Sequence, residues 1–299
     1  MKNTLLKISL SLLLILFFSC KEDSKNEEKE TDVKSSVSEN YNISILVDLS
    51  DRISLKKNPN PTMEFYQRDL GYIKSVSEAF TQHLKSKRMR QIDDKMQLFF
   101  NPEPESPEIN SIADQLKISV DKNNASKKLL NSINETYAAK TSKIYQSAID
   151  DDKYIGSDIW NFFDSKAEDQ CVEKGFRNIL VILTDGYMYY DGTKFKNGNL
   201  SSYLTPQLIK QNGLNTNDWE KKFTTENFGF VKTGTNLSNL EVLVLGINPD
   251  KNNPYEEKVI KAYWAKWLKE IKISHFEIKS AELPSNMDKI IKDFILEKA

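Results

Sequence analysis

The side chains that most often carry chemistry are scarce in this chain, which has 2 cysteines and 2 histidines among 299 residues. With only Cys20 and Cys171, a disulfide framework and a cysteine-rich zinc site are excluded by count, and any mechanism that needs imidazole must use His83 or His275. Charge of one sign is lacking as well. Against 42 Lys and Arg stand 43 Asp and Glu, a formal net charge of -1, so there is no electrostatic footprint for nucleic acid. Only 10 Gly and 9 Pro accompany 39% hydrophobic and 28% charged residues, which excludes a collagen-like or wholly disordered chain and leaves an ordinary globular composition. The phosphate-cradling G-x-x-x-x-G-K-[ST], the G-x-S-x-G elbow and H-E-x-x-H are all absent, and Cys171 has no evident base beside it.

What is present begins with a processing signal. Lys2 and Lys7 supply a positive start, and Leu10 to Phe18 is an apolar run interrupted only by Ser11, too short for a comfortable permanent span. Ser19 followed by Cys20 resembles the end of a bacterial lipoprotein signal; a plain secretory signal or anchor is the alternative. The resemblance implies cleavage after residue 19 and lipid, such as palmitate, on Cys20. Lys21, Glu22 and Asp23 are similar to the lysine-plus-acid tag of surface-exposed lipoproteins, and Lys21 is not the Asp associated with inner-membrane retention. Cell-envelope localisation, with the outer membrane favoured, follows as an expectation. Residues 21–40 hold 4 Lys against 7 Asp or Glu with almost no apolar side chains, so they are read as a solvated tether over 20–40. Twenty such residues span on the order of 25 Å as a flexible coil. If Cys20 is lipidated, Cys171 is the only thiol left, and stability must come from the core.

From Tyr41 onward, buried-strand and amphipathic-helix patterns alternate. Strands are expected at Ile43 to Leu49, Met96 to Phe100, Lys117 to Asp121, Arg177 to Thr184, Leu240 to Leu245 and His275 to Lys279. Tyr66, Leu70, Ile73, Phe80 and Leu84 fall on one helical face, and His83 on that helix reads as a surface or boundary residue. Asn253, Pro254 and Glu256 look like a helix start, as do Ser285 and Asp288 for a final helix. Such alternation argues for one α/β domain over about 41–299, a mostly parallel sheet of about six strands with helices on both faces, and no internal repeat.

In open α/β sheets ligand groups collect beyond the carboxyl ends of the strands. The first strand ends in Asp48-Leu49-Ser50-Asp51-Arg52, the best central strand ends in Thr184-Asp185-Gly186, and Gly156-Ser157-Asp158 opens the segment leading to Trp160. Carboxylates and hydroxyls without imidazole or thiolate suit a hard cation such as Mg2+ or Mn2+. Here the chain resembles a von Willebrand factor A (vWA) domain. That family has a Rossmann-like fold and carries a metal-ion-dependent adhesion site: an Asp-x-Ser-x-Ser turn, a Thr from a later loop and an Asp after the fourth strand. Asp48, Ser50 and Asp185 match that pattern, and Ser157 stands for the threonine. The resemblance implies a metal with one open position that a partner protein fills with a carboxylate, without bond making or breaking. Arg52 departs from it, lying where the family has its second serine, and guanidinium cannot ligate a cation. Either Arg52 turns away and water or Ser54 completes the shell, or it pairs with Asp48 or Asp185 and replaces the metal. Asp51 is a further modulator, and Asp150, Asp151 and Asp152 lie near Ser157 in the sequence.

After Gly186 an insertion at about 187–238 precedes the next strand, long for an α/β connection. It holds Tyr187, Tyr189, Tyr190, Phe195, Tyr203, Trp219, Phe228 and Phe230. It leaves from the same sheet edge as Asp185, so it is placed to roof the site or to bury its own aromatics, with Tyr189 and Tyr190 the best placed for partner binding. The expected function is an envelope-anchored, non-enzymatic domain that binds a protein or other ligand. The alternatives are a scaffold with a dead metal site held by Arg52, and a magnesium-dependent phosphoester hydrolase using Asp48, Asp51 and Asp185, for which Arg52 is the one nearby phosphate-binding cation.

Overall fold

The computed structural model describes residues 39–297. They fall within the compact unit Ser38–Ala299. The expected leader 1–19, Cys20 and the tether up to residue 38 lie outside the described residues. Among the described residues no helix is long and apolar enough to cross a membrane.

Six strands form the central sheet: β1 (Asn40–Val47), β2 (Asp93–Phe99), β3 (Ile118–Asp121), β4 (Phe176–Leu183), β8 (Leu240–Ile247) and β9 (His275–Ser280). Their order is β3-β2-β1-β4-β8-β9, and every neighbouring pair is parallel except β2 with β3. The three central strands are almost wholly buried, as expected for parallel strands covered on both faces. Their side chains divide by the two-residue period of a strand. Ile43, Ile45, Val47, Ile179, Val181 and Leu183 face one core with helices α1 (Phe65–Ser86), α3 (Lys127–Asp151) and α9 (Pro284–Leu296). Leu46, Leu180, Ile182, Val242 and Val244 face the other, with α4 (Ile159–Ser165), α5 (Ala167–Cys171) and α8 (Glu256–Glu270).

Register sets the position of the site. Val47 pairs with Leu183, and Leu183 with Leu245, so the residues that follow, Asp48 and Thr184-Asp185, leave the sheet at one level. Strand ends shift from the expected bounds by one to three residues, and Leu49 and Thr184 lie just beyond β1 and β4.

Several expected helix starts are corrected. α8 begins at Glu256 after Tyr255, and Asn253 instead accepts from the Tyr255 main-chain N–H (3.0 Å) and donates to Glu256 Oε2 (2.8 Å). α9 begins at Pro284, so Ser285 and Asp288 lie inside it, and Asp288 accepts from Ser75 Oγ at 2.7 Å. The longest of the helices not anticipated are α2 (Pro107–Asp114) and the 25-residue α3.

The insertion is a small built unit. β5 (Lys196–Asn197), β6 (Leu200–Ser201) and β7 (Gly229–Phe230) form a three-stranded sheet beside α6 (Pro206–Gln211) and α7 (Trp219–Thr225). Trp219, Phe223, Phe228 and Phe230 are buried with Tyr263, Trp264 and Trp267 of α8, so these four insertion aromatics join the core on that face of the sheet.

Candidate functional site

Asp48, Ser50, Ser157 and Asp185 come together at the carboxyl edge of the sheet. Asp48 is buried and each of its carboxylate oxygens accepts one hydrogen bond, Oδ1 from the Ser50 main-chain N–H (2.9 Å) and Oδ2 from Thr184 Oγ1 (2.9 Å). Thr184 Oγ1 also accepts from the Gly186 N–H at 3.1 Å, which draws the Asp185 loop over the end of β4. Gly186 is required there: its φ is +96°, and a Cβ would lie 2.5 Å from Ile260 Cγ2. Asp185 Oδ1 accepts from the Tyr187 N–H at 3.0 Å. Burial and the negative Asp48 beside it push the Asp185 carboxyl up to about 7, against the opposing pull of Arg52.

Ser157 arrives from the opposite wall. Its main chain exchanges two hydrogen bonds with Tyr189 of the insertion (2.9 and 3.0 Å), and Gly156 before it, at φ +97°, would place a Cβ 2.3 Å from the Tyr189 carbonyl oxygen. Asp158 after it caps α4, accepts from Thr193 Oγ1 (2.7 Å), and is tied by its main chain to Asn101 at the end of β2. The Ser157 loop is therefore fastened on three sides. Its own Oγ is fastened to nothing: Ser157 is 4% exposed and the hydroxyl has no hydrogen-bond partner. A cleft of about 970 Å³ is lined by Ser50, Asp51, Ser157, Asp185, Tyr187 and Tyr189, among others.

Arg52 turns away from the cleft and makes its closest ion pair with Asp69, with the Asp48 carboxylate a longer second partner and no bond to Asp185. The guanidinium is buried and reaches Asp69 Oδ2 of α1 at 2.5 Å, while donating to the main-chain oxygens of Asp48 (2.8 Å) and Leu183 (3.1 Å). The Asp48 carboxylate is 3.8 Å from its Nε. Asp69 also accepts from Tyr145 Oη of α3 at 2.7 Å. Burial disfavours the charged guanidinium, yet Asp69 and Asp48 outweigh it and hold Arg52 firmly protonated. Arg52 thus braces the backbone of both strand ends from beneath the site. Asp69, which no short-range motif marks, is the functional-region residue the sequence reading missed.

Of the other expected participants, Asp51, Tyr189 and Tyr190 line the cleft and the rest lie apart from it. Ser54 is buried in the following turn, where its Oγ is 3.4 Å from the Lys57 main-chain N–H, and is not among the cleft's lining residues. Asp51 is exposed on the cleft rim and paired with Lys57 at 3.0 Å. Asp151 and Asp152 pair with Lys153 (3.6 Å) and Lys56 (3.1 Å), and Asp150 accepts from Gln146 Nε2 (2.8 Å), all away from the lining. Tyr189 is exposed, its hydroxyl donating to Asp191, whereas Tyr190 is half-buried. His83 is buried rather than at the surface: it lies 2.9 Å from Asp94, which also pairs with Lys87 at 2.6 Å. Cys171 is buried, and burial pushes its thiol up to about 12, unsuited to nucleophilic work.

Among the described residues there is no cluster of three or more His, Cys, Asp or Glu that could hold a metal ion. A cation here would rest on two carboxylates and hydroxyls. The donor chemistry fits a hard, oxygen-liganded ion: Asp185, Ser50 and Ser157 line one cleft, and Asp48 is hydrogen-bonded to the Ser50 main chain. No protein-family model and no curated protein matches the chain. Among solved structures it is similar to the pilus adhesin SpaC from Lactobacillus rhamnosus GG, with 13% identity and a TM-score of 0.34 over 86% of this chain and 30% of the adhesin chain, so this chain spans less than a third of that protein.

Proposed function

We propose that the chain is a vWA-type binding domain that takes a partner carboxylate through a divalent cation, Mg2+ or Mn2+, at Asp48, Ser50, Ser157 and Asp185. The observation that carries this reading is the unpartnered, buried Ser157 hydroxyl in the same cleft as Asp185. An unsatisfied buried hydroxyl costs about 1–3 kcal/mol, so a loop held by three sets of contacts around such an atom is built for a ligand that the protein alone does not provide. A bound cation supplies an electrophilic position that an incoming carboxylate fills. Ser50, Ser157 and Asp185 would hold the ion from the cleft they line, and Asp48 orients the Ser50 main chain and the Thr184 hydroxyl.

The reading is non-enzymatic. Arg52 faces the core, and Lys57, the one basic residue of the lining, is paired with Asp51, so neither is free to grip a phosphate. Lipid on Cys20 would hold the domain at the envelope, at the outer membrane face, by way of the acidic tether.

Calorimetric titration of the Ser38–Ala299 unit with MgCl2 and MnCl2 tests the site. Saturable binding is expected in the parent chain and none in Asp185→Ala; unchanged affinity in that variant removes Asp185 from the ligand set and with it the proposal.

A further inference from the structure

The cleft has a charge pattern that a simple acidic partner would not tolerate. Its lining carries Asp51, Glu103, Glu105, Asp185 and Asp191 against Lys57 alone, and Lys57 is already engaged by Asp51. Glu103 and Glu105 are exposed, and neither takes part in an ion pair among the described residues. They lie on the wall formed after β2, next to Pro102, Ile155 and Gly156. The insertion contributes Tyr187, Tyr189, Tyr190 and Pro206 to the same lining. Tyr187 is fixed in place, donating to Glu256 at 2.6 Å and accepting from the Asp250 N–H at 3.1 Å.

An acidic rim alone would not identify a ligand, but the buried Ser157 hydroxyl in the same cleft marks a place where a ligand atom is missing. With a divalent cation held by Asp48 and Asp185, those two carboxylates would be neutralised and Asp51, Glu103, Glu105 and Asp191 would leave the rest of the lining negative. A partner must therefore bring one carboxylate to the floor and positive charge to the rim.

Resting on the vWA-type reading above, we propose that the occupant is a polypeptide segment with a single Asp or Glu flanked by Lys or Arg, its basic side chains meeting Glu103 and Glu105 and its backbone or apolar neighbours lying along Tyr187, Tyr189 and Tyr190. Complementary charge of this kind selects partners and speeds encounter more than it adds affinity. Tyrosines supply contact area at low entropic cost.

The test uses two synthetic peptides on a Gly-Ser scaffold, each with one central Asp, flanked in one by Lys and in the other by Glu. Their binding to the Ser38–Ala299 unit is followed by fluorescence anisotropy with and without MgCl2, beside a direct magnesium titration. The Lys-flanked peptide should bind more tightly, and Glu103→Gln with Glu105→Gln should weaken it about fivefold, since two exposed ion pairs contribute little each, while magnesium affinity stays unchanged. Raising salt to about 0.5 M should erase most of the difference. Equal binding of the two peptides, or indifference to the Glu103 and Glu105 substitutions, overturns the proposal. Absence of magnesium binding instead strikes the underlying metal reading, and the Lys-over-Glu preference measured without metal still decides the charge assignment.

Discussion

Replacing Arg52 with Met gives the sharpest test of how the site is supported. In the folded chain the guanidinium has three acceptors, the Asp69 carboxylate and the main-chain oxygens of Asp48 and Leu183, and all are shielded from water. Arg52→Met leaves Asp69 with only Tyr145 as donor and strips a donor from two carbonyls at the strand ends. Removing one partner of a buried pair costs about 3–5 kcal/mol, largely because the remaining charge is stranded. Against a total of about 5–15 kcal/mol the variant should fold but melt some 6–20 °C lower. The loss should depend on pH. Without Arg52 the Asp69 carboxyl has a folded pKa above its unfolded value near 4, so it binds a proton more readily folded than unfolded. The penalty is then full above the raised value and fades as pH falls towards about 4. Adding Asp69→Leu removes the stranded charge and should recover at least half of the lost stability, although Tyr145 loses its acceptor. Urea denaturation at pH 5 and pH 8 of the two single variants and the double variant measures this. A loss below about 1 kcal/mol in Arg52→Met, or a double variant as unstable as the sum of the singles, would refute the account of Arg52 as a brace.

Other outcomes follow from particular contacts. Ser157→Ala removes a hydroxyl that bonds to nothing in the protein, so metal-free stability should hold or rise by up to about 1–3 kcal/mol while magnesium affinity falls, a pairing of signs that thermal melts with and without MgCl2 would show. Burial alone would raise the Asp94 carboxyl, but donation from His83, Lys87 and the Tyr41 N–H holds it below the usual carboxylate range. Its contribution is therefore present above the unfolded value near 4 and lost as pH falls through the depressed folded value. Asp94→Asn should cost about 3–5 kcal/mol at pH 7, because Lys87 is left buried without its partner, and the difference from the parent chain should shrink in acid urea titrations.

Much of the scaffold was legible because parallel strands buried on both faces must be nearly continuous apolar runs. Ile179 to Leu183 and Val242 to Leu245 could hardly be anything else, and the residues just past such runs had to sit at a sheet edge. The three central strands were located this way, and the outer strands, such as Lys117 to Asp121 by its alternation, to within a few residues as well. The long helix α3 was not, since its buried stripe of Leu130, Ile133, Tyr137, Thr141, Ile144 and Tyr145 is diluted by threonine and flanked by polar residues that hide the period. The Arg52–Asp69 pair was half visible. Arg52 stood out as a misfit in the turn, whereas Asp69 occupies the same helical stripe as Tyr72, Ile73, Val76 and Phe80. A carboxylate on an apolar stripe requires a cation, and that was the available signal. His83 was misjudged for the converse reason: its partner Asp94, which it shares with Lys87, lies at the base of β2, and no local pattern brings the two together.

Ser157 shows why a site can be guessed from order along the chain yet not assembled from it. The residue type and its place before a helix cap are local facts, but the position of its hydroxyl is fixed from a distance. Tyr189, 32 residues later, bridges its main chain; Asn101, 57 residues before Asp158, holds the next peptide; and Thr193 ties the cap of α4 back to the insertion. Each contact is an ordinary hydrogen bond of modest net worth. Together they hold a buried oxygen in a place where the protein gives it no partner, something that local propensity does not favour and cooperative packing can sustain. Loosening the insertion therefore acts on the same atom as altering the loop itself. The roofing segment, though four of its aromatics are spent on the core it shares with α8, is part of the site through its backbone as well as through the tyrosines that line the cleft.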